Sequence, residues 1–264
     1  MPPAGTAVHR GPGGSVCVEQ LERIIPIAKQ VLILQVDDEQ RDLWLWERAE
    51  RVARLTQLVG RIPEVADQAV DQLALAVAGL FHCAGWATQL QQGTVDRWHV
   101  LTRPTSDIQR ELGAALIQEY VGSQLPPKTV RLACEAVRQC NDRRTDLVEA
   151  QLLAEAENLD EVGVVYILRQ FRQYQAEGRP LTQLFASWER QKEYRYWEVR
   201  VNDGFRFETT QRLARRRLEA VEHFMQALAR DTGGLDLAQT LVQAGNNIPE
   251  DLLRPLTPSV EWTS

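Results

Sequence analysis

At 264 residues and 44% hydrophobic, the chain is long enough to bury a sizeable core and fits one large or two small domains. A net charge of -6 and a pI near 5.4 exclude a general attraction to nucleic acid or anionic lipid, so a polyanion would need a local basic patch. The four cysteines form no C-x-x-C pair, the first residues contain no apolar segment of the signal-peptide kind, and no run approaches the ~18 apolar residues of a membrane span; a cytoplasmic protein with reduced thiols and no membrane contact is expected.

Residues 1–16 are rich in Gly and Pro and predict a flexible leader. From Val18 to Val36, apolar residues recur at helical spacing, so 18–36 reads as an extra amphipathic helix. Pro26 is expected to kink or split it, and its apolar face is the candidate surface for a protein partner or for self-association. A second helix runs over 40–59, with Gly60 read as a C′ glycine and Pro63 as a breaker. A third spans about 65–90, and its residues from Leu73 to Phe81 are apolar around nearly the whole circumference, which predicts a buried central helix. After a polar loop over 91–104, helices are expected over 106–121, with Ser106 as the cap, and over 126–140, with Pro127 in the first turn.

A long helical region then runs from Asp146 towards Tyr174 with a bend at Gly163, followed by a helix over 181–194. The segments WEVRV and FRF alternate with period two around Asn202-Asp203-Gly204, which predicts a small β-hairpin near 197–207. A last long helix covers 210–230 and stops at Gly233-Gly234, with one short helix over 235–244 before a proline-bearing tail. The expected architecture is an all-α helical bundle with a single domain over 17–231 and a C-terminal tail over 232–264.

Within the central helix, Leu80-Phe81-His82-Cys83-Ala84-Gly85 delivers two metal-capable side chains from a deeply apolar run. This segment resembles the central His-Asp-x-Gly motif of HD-domain proteins, a superfamily of metal-dependent phosphohydrolases, with Cys83 at the aspartate position. Upstream, Arg51-Val52-Ala53-Arg54-Leu55 matches a run that follows the family's first histidine, and that histidine position falls on Arg48. Downstream, Glu149-Ala150 through Leu159-Asp160-Glu161-Val162-Gly163 is similar to a late helix of small bacterial HD hydrolases, where two aspartates precede Leu-Asp and the later one binds metal; here Glu155 and Glu157 stand in their places. The positions best matching two auxiliary histidines of some relatives are Gln109 and Cys140, and Arg212 to Met225 resembles the closing helix. The similarity covers about 38–228 and implies an HD-domain-like fold.

That resemblance implies a site in which His and Asp ligands hold one or two divalent ions that polarise a phosphoryl oxygen and acidify a bound water. The residues present depart from it. Arg48 has no acceptor and stays protonated. About 4 Å from a doubly charged ion, at an effective dielectric of 20, its repulsion would be roughly 8 kcal/mol. Cys83 replaces a hard bridging oxygen by a sulfur that favours zinc over magnesium or manganese.

The candidate pocket is therefore Arg48, His82, Cys83 and Glu157, with no catalytic residue assigned, no cofactor and no metal expected. If a single zinc or other divalent ion is bound, its ligands are His82, Cys83, Cys140 and Glu157. Plainer explanations stand beside these: a buried histidine next to an inert core thiol for His82-Cys83, and solvated helix faces for Arg48 with Arg51 and Arg54 and for Glu155, Glu157, Asp160 and Glu161. Arg212, Arg215, Arg216 and Arg217 are interleaved with glutamates, so i to i+4 pairing explains them better than nucleic acid does. The functional expectation is a degenerate, non-catalytic binding or regulatory module that takes a nucleotide or other phosphate. The alternatives are a metal-dependent phosphohydrolase using His82, Cys83 and Glu157, and a helical scaffold or assembly subunit.

Overall fold

The computed structural model describes residues 13–98, 100 and 103–254, with side chains described from residue 19 onward. Residues 1–12 of the expected leader and 255–264 of the expected tail lie outside the described residues. Contacts within the chain cluster into two compact units, the first holding the described residues up to Val95 together with Thr105–Ala156, the second holding Asp96–Pro104 and the residues from Glu157 on. The division falls between Ala156 and Glu157, within one helix.

The first unit begins with α1 (Gly13–Leu32), which continues through Pro26 without a break. Its apolar face is spent within the unit, where Ile24, Ala28 and Leu32 are fully buried. The helix expected over 18–36 ends at Leu32, and Leu34–Gln35 form β1, paired antiparallel with β2 (Arg41–Asp42) in the register Leu34 to Asp42. Asp37 makes that reversal by accepting the backbone N–H groups of Glu39 and Gln40 at 2.9 and 2.8 Å, as an Asx turn does. This is the small hairpin of the fold, and it lies here and not near 197–207.

Helix α2 (Trp44–Val59) buries a stripe of Leu45, Ala49, Val52, Ala53, Thr56 and Val59 against α3 (Gln72–Phe81). Gly60 ends α2 at φ -64, not in the left-handed region, and a Cβ there would meet only the ends of the Leu75 and Gln72 side chains. The single helix expected over 65–90 is three pieces: a 3-10 turn at Pro63–Val65, α3, and α4 (Ala84–Gln91). Asp71 caps α3 by accepting the N–H groups of Leu73 and Ala74 at 3.1 and 2.9 Å. All of Leu73 to Phe81 is buried. The stretch Gln72–Gln91 is the one candidate among the described residues long and apolar enough to cross a membrane by length and composition, and 83% of its apolar window is buried in the protein.

Helices α5 (Asp107–Val121) and α6 (Pro127–Gln139) complete the packing around α3 and α4, with Ser106 and Pro127 at the predicted starts. Helix α7 (Val148–Asp160) leads to Gly163, whose φ of 132 no side chain tolerates well; the chain bends there into α8 (Val164–Ala176).

In the second unit, α8 is followed by α9 (Leu181–Glu193), α10 (Tyr196–Gly204), α11 (Glu208–Gly233) and α12 (Leu235–Gln243). The expected hairpin at 197–207 is α10, because Trp197 and Val201 at i and i+4 are buried while Val199, which alternation would place with them, is 55% exposed. Trp197 centres an aromatic cluster, edge-on to Tyr166 and Tyr196 at 5.1 Å each and 6.1 Å from Trp188.

Candidate functional site

Arg48 sits on the buried stripe of α2, three residues after Leu45, and is 1% exposed. A solvated face for Arg48, Arg51 and Arg54 is not what forms: each step of three residues turns back about 60° around the helix, so Arg48 is buried, Arg51 half-buried over the Trp44 ring at 5.7 Å, and Arg54 exposed.

His82 and Cys83 form the joint between α3 and α4, where Cys83 leaves helical geometry at φ -107, ψ 6. Both are fully buried. His82 Nδ1 lies 2.7 Å from the Gly79 carbonyl, which makes this nitrogen the donor and leaves Nε2 as the lone-pair nitrogen. Cys83 Sγ points to the Leu45 carbonyl at 3.7 Å, tying the joint to the turn of α2 that carries Arg48. Gly85, the glycine of the motif, has a steric reason: a Cβ there would stand 2.1 Å from the Gln109 carbonyl oxygen. Gly113 likewise allows α5 to approach the Phe81 carbonyl, 2.8 Å from where its Cβ would be.

The two positions matched to auxiliary histidines hold structural side chains. Gln109 Oε1 accepts the Ser106 N–H at 2.8 Å, closing the start of α5, and its amide donates to Gln89 Oε1 at 2.7 Å. Cys140 is 4% exposed; its sulfur accepts from the Arg110 guanidinium and lies 3.2 Å from the Val137 carbonyl. Arg110, itself 2% exposed, also donates to Asn141 Oδ1 at 2.8 Å.

Glu157 is half-buried and falls in the second unit, whereas Glu155, two residues earlier, is in the first unit and 0% exposed. The expected acidic surface stripe is therefore not one: Glu155 and Asp160 are buried, and Glu161 is paired with Arg200 and lies 3.7 Å from Arg169. Glu149, 3% exposed, accepts the Asp71 N–H at 2.9 Å, and Asp71 in turn accepts the Thr129 hydroxyl at 2.9 Å. In the basic run of α11, Arg212 is 3.8 Å from Glu208, Arg215 binds Gln211 and Asn202, and Arg217 donates to the Leu159 carbonyl, its guanidinium pKa lowered by burial.

The interior of the first unit thus contains two guanidiniums, Arg48 and Arg110, and two carboxylates, Glu149 and Glu155, none more than 3% exposed. Among the described residues, no three His, Cys, Asp or Glu side chains gather closely enough to hold a metal ion. Sequence reasoning did not single out Arg110, and it placed Glu155 at a motif position on an expected solvated face. Both had a signal: Arg110 shares the spacing of Ala114, Ile117 and Val121, and Glu155 that of Leu152 and Leu159, so each is a charge on an apolar stripe.

No family model and no curated protein matches the chain. Solved structures do. Bacillus subtilis YpgQ superposes with a TM-score of 0.52 at 19% identity, over 82% of this chain and 97% of that one. The same protein in complex with ADP gives 0.52 at 18% identity, over 81% and 96%. A predicted HD superfamily hydrolase from an uncultured Thermotogales bacterium gives 0.51 at 18% identity, over 80% and 92%. The chain has an HD-domain-like fold.

Proposed function

We propose that this chain is a non-catalytic binding or regulatory module, in which fixed side-chain charges stand where the HD superfamily holds its ions. The observation that carries this reading is Arg48, a permanent cation 1% exposed at the position matching the first histidine ligand. A guanidinium cannot be buried without a compensating anion. Two carboxylates, Glu149 and Glu155, are buried in the same unit; Glu149 accepts the Asp71 N–H, and we propose Glu155 as the counter-charge of Arg48. The residues do not fit a binuclear centre. Arg48 replaces one ligand, Cys83 directs its sulfur at the Leu45 carbonyl, and Cys140 has the Arg110 guanidinium against its sulfur.

The ligand class follows from fold analogy, supported by the neighbouring structure that contains ADP: a nucleotide or another phosphate. One observation favours the enzyme reading instead. Metal-bound histidines commonly donate their second ring nitrogen to a carbonyl, as His82 does to Gly79.

The test is elemental analysis of protein purified without chelators, with a turnover screen of nucleotides and phosphate esters in added manganese or zinc. Metal-free, inactive protein that binds a nucleotide in calorimetry is the expected result. About one zinc per chain, with turnover abolished by His82→Ala, would overturn the module and establish the hydrolase.

A further inference from the structure

The second unit contains a cavity of about 470 Å³ along one face of α9, within the range of small-molecule sites. Gln183, Ser187, Arg190 and Tyr194 line it at helical spacing, so a polar stripe faces the opening, and Arg179 and Tyr196 close its sides. Two features set it apart from a solvated groove. Gln183 Oε1 is buried and has no hydrogen-bond partner, a state an incoming donor would relieve. Arg190 makes no ion pair among the described residues, while its neighbours on the helix do: Lys192 is bound to Glu189 at 2.8 Å and to Glu222 at 3.2 Å.

The cavity is also preorganised. Arg179 is stacked over the Tyr174 ring at 5.3 Å and held through Nε by Glu177 at 2.7 Å, which orients the guanidinium before any ligand arrives. At the mouth, Tyr194 is 72% exposed and Tyr196 42% exposed, two large rings left at the surface beside the two arginines. Between them the chain passes through Arg195 at φ 53, a left-handed conformation unfavourable for a residue with a side chain, which sets the two tyrosines about the opening.

We propose that this cavity binds a small organic phosphate: the phosphate between Arg190 and Arg179, and an OH or NH group of the organic part donating to Gln183. A dianionic phosphoryl group matches two guanidiniums, and its three acceptor oxygens leave donation to the rest of the molecule. Inorganic phosphate alone offers no group that reaches both ends. The site is separate from Arg48 and does not depend on the function proposed for the first unit.

Titration of the full chain with AMP, glucose 6-phosphate, adenosine and inorganic phosphate tests it, followed by calorimetry and by tryptophan fluorescence. Trp197 reports on the site because its indole N–H donates to Gln191, another lining residue, at 2.9 Å. Saturable binding of AMP or glucose 6-phosphate at about 1 mM or tighter, weakened about tenfold by Arg190→Ala and by Gln183→Leu with unchanged thermal midpoints, supports the site; which of the two binds identifies the organic part. The proposal falls if neither ester binds, if inorganic phosphate or adenosine binds as tightly as the esters, or if binding is unchanged by Arg190→Ala. Binding lost in Arg48→Met with Glu155→Leu but retained in Arg190→Ala would place the ligand in the first unit and overturn this site while supporting the module.

Discussion

If Arg48 and Glu155 neutralise one another, each should depend on the other far more than either depends on its apolar surroundings. Arg48→Met keeps most of the side-chain volume and leaves a carboxylate that is 0% exposed without its cation. Removing one partner of a buried pair costs about 3–5 kcal/mol. At about 2–4 °C per kcal/mol for a unit of this size, the thermal midpoint should fall by roughly 6–20 °C. Glu155→Leu should cost a similar amount, whereas Arg48→Met with Glu155→Leu should return to within about 2 kcal/mol of the parent, because an apolar pair needs no compensation. Urea unfolding followed through Trp46 and Trp86, both buried in the first unit, gives the cycle its four free energies. The sign of the pH response is a second check. A carboxyl stranded by Arg48→Met has its folded-state pKa raised above the unfolded value, so the variant is best preserved at low pH and loses stability as pH rises through that raised pKa. Single substitutions that add to within about 0.5 kcal/mol would show that the two side chains do not interact and would refute the assignment.

Other consequences are more local. Arg48→His combined with Cys83→Asp restores two ligand types beside His82, so the double variant should take up zinc or manganese by elemental analysis while the parent does not; equal uptake by both would contradict the displaced-ion reading. Gly85→Ala should cost at least 1–3 kcal/mol in urea unfolding, since its Cβ would stand 2.1 Å from the Gln109 carbonyl and backbone must move. Asp71→Ala should cost about 1–3 kcal/mol, because the same carboxylate caps α3 and accepts from Thr129. Tyr166 has its pKa raised by burial to about 12, so the unfolded chain ionises first as pH rises. Its contribution to stability is complete below about pH 10 and disappears through about pH 12, a loss of roughly 2–3 kcal/mol that Tyr166→Phe should abolish in alkaline unfolding.

The helices and their order were legible because apolar periodicity reports burial directly, and α2, α3, α5 and α6 lie where that periodicity places them. What periodicity does not report is a break inside a continuous apolar run. The α3 to α4 joint at His82-Cys83 arises where α5 presses on it at Gly85 and Gly113, a tertiary cause with no local trace. At 197–207, two templates fitted the same letters, and burial of Trp197 with Val201 decided for the helix. In the candidate site, Arg48, His82 and Cys83 were found from the resemblance, and their burial is what their places on apolar stripes would suggest. Glu155, at helical spacing from Leu152 and Leu159, is fully buried with them, which its place on that stripe makes legible.

Two guanidiniums and two carboxylates inside one unit are not the most stable solution available to a helical core. Well-packed apolar replacements for a buried ion pair are often neutral or stabilising by about 1–4 kcal/mol. Stability therefore gives no reason for Arg48 to be there, and two reasons remain: it fixes how α2 meets the His82-Cys83 joint, or it holds a charge that an anionic ligand uses when the site opens. The Arg48→Met, Glu155→Leu double variant separates them, because it keeps the packing and removes both charges. If Arg48 only positions helices, the folded double variant binds ADP as the parent does. If Arg48 is the anchor of an anion, ADP binding in calorimetry falls by about tenfold or more, the ~1.5–3 kcal/mol of a hydrogen bond between charged groups, while the unfolding midpoint stays near that of the parent. A parent chain that binds no nucleotide at all would remove the second reason and leave the positioning role.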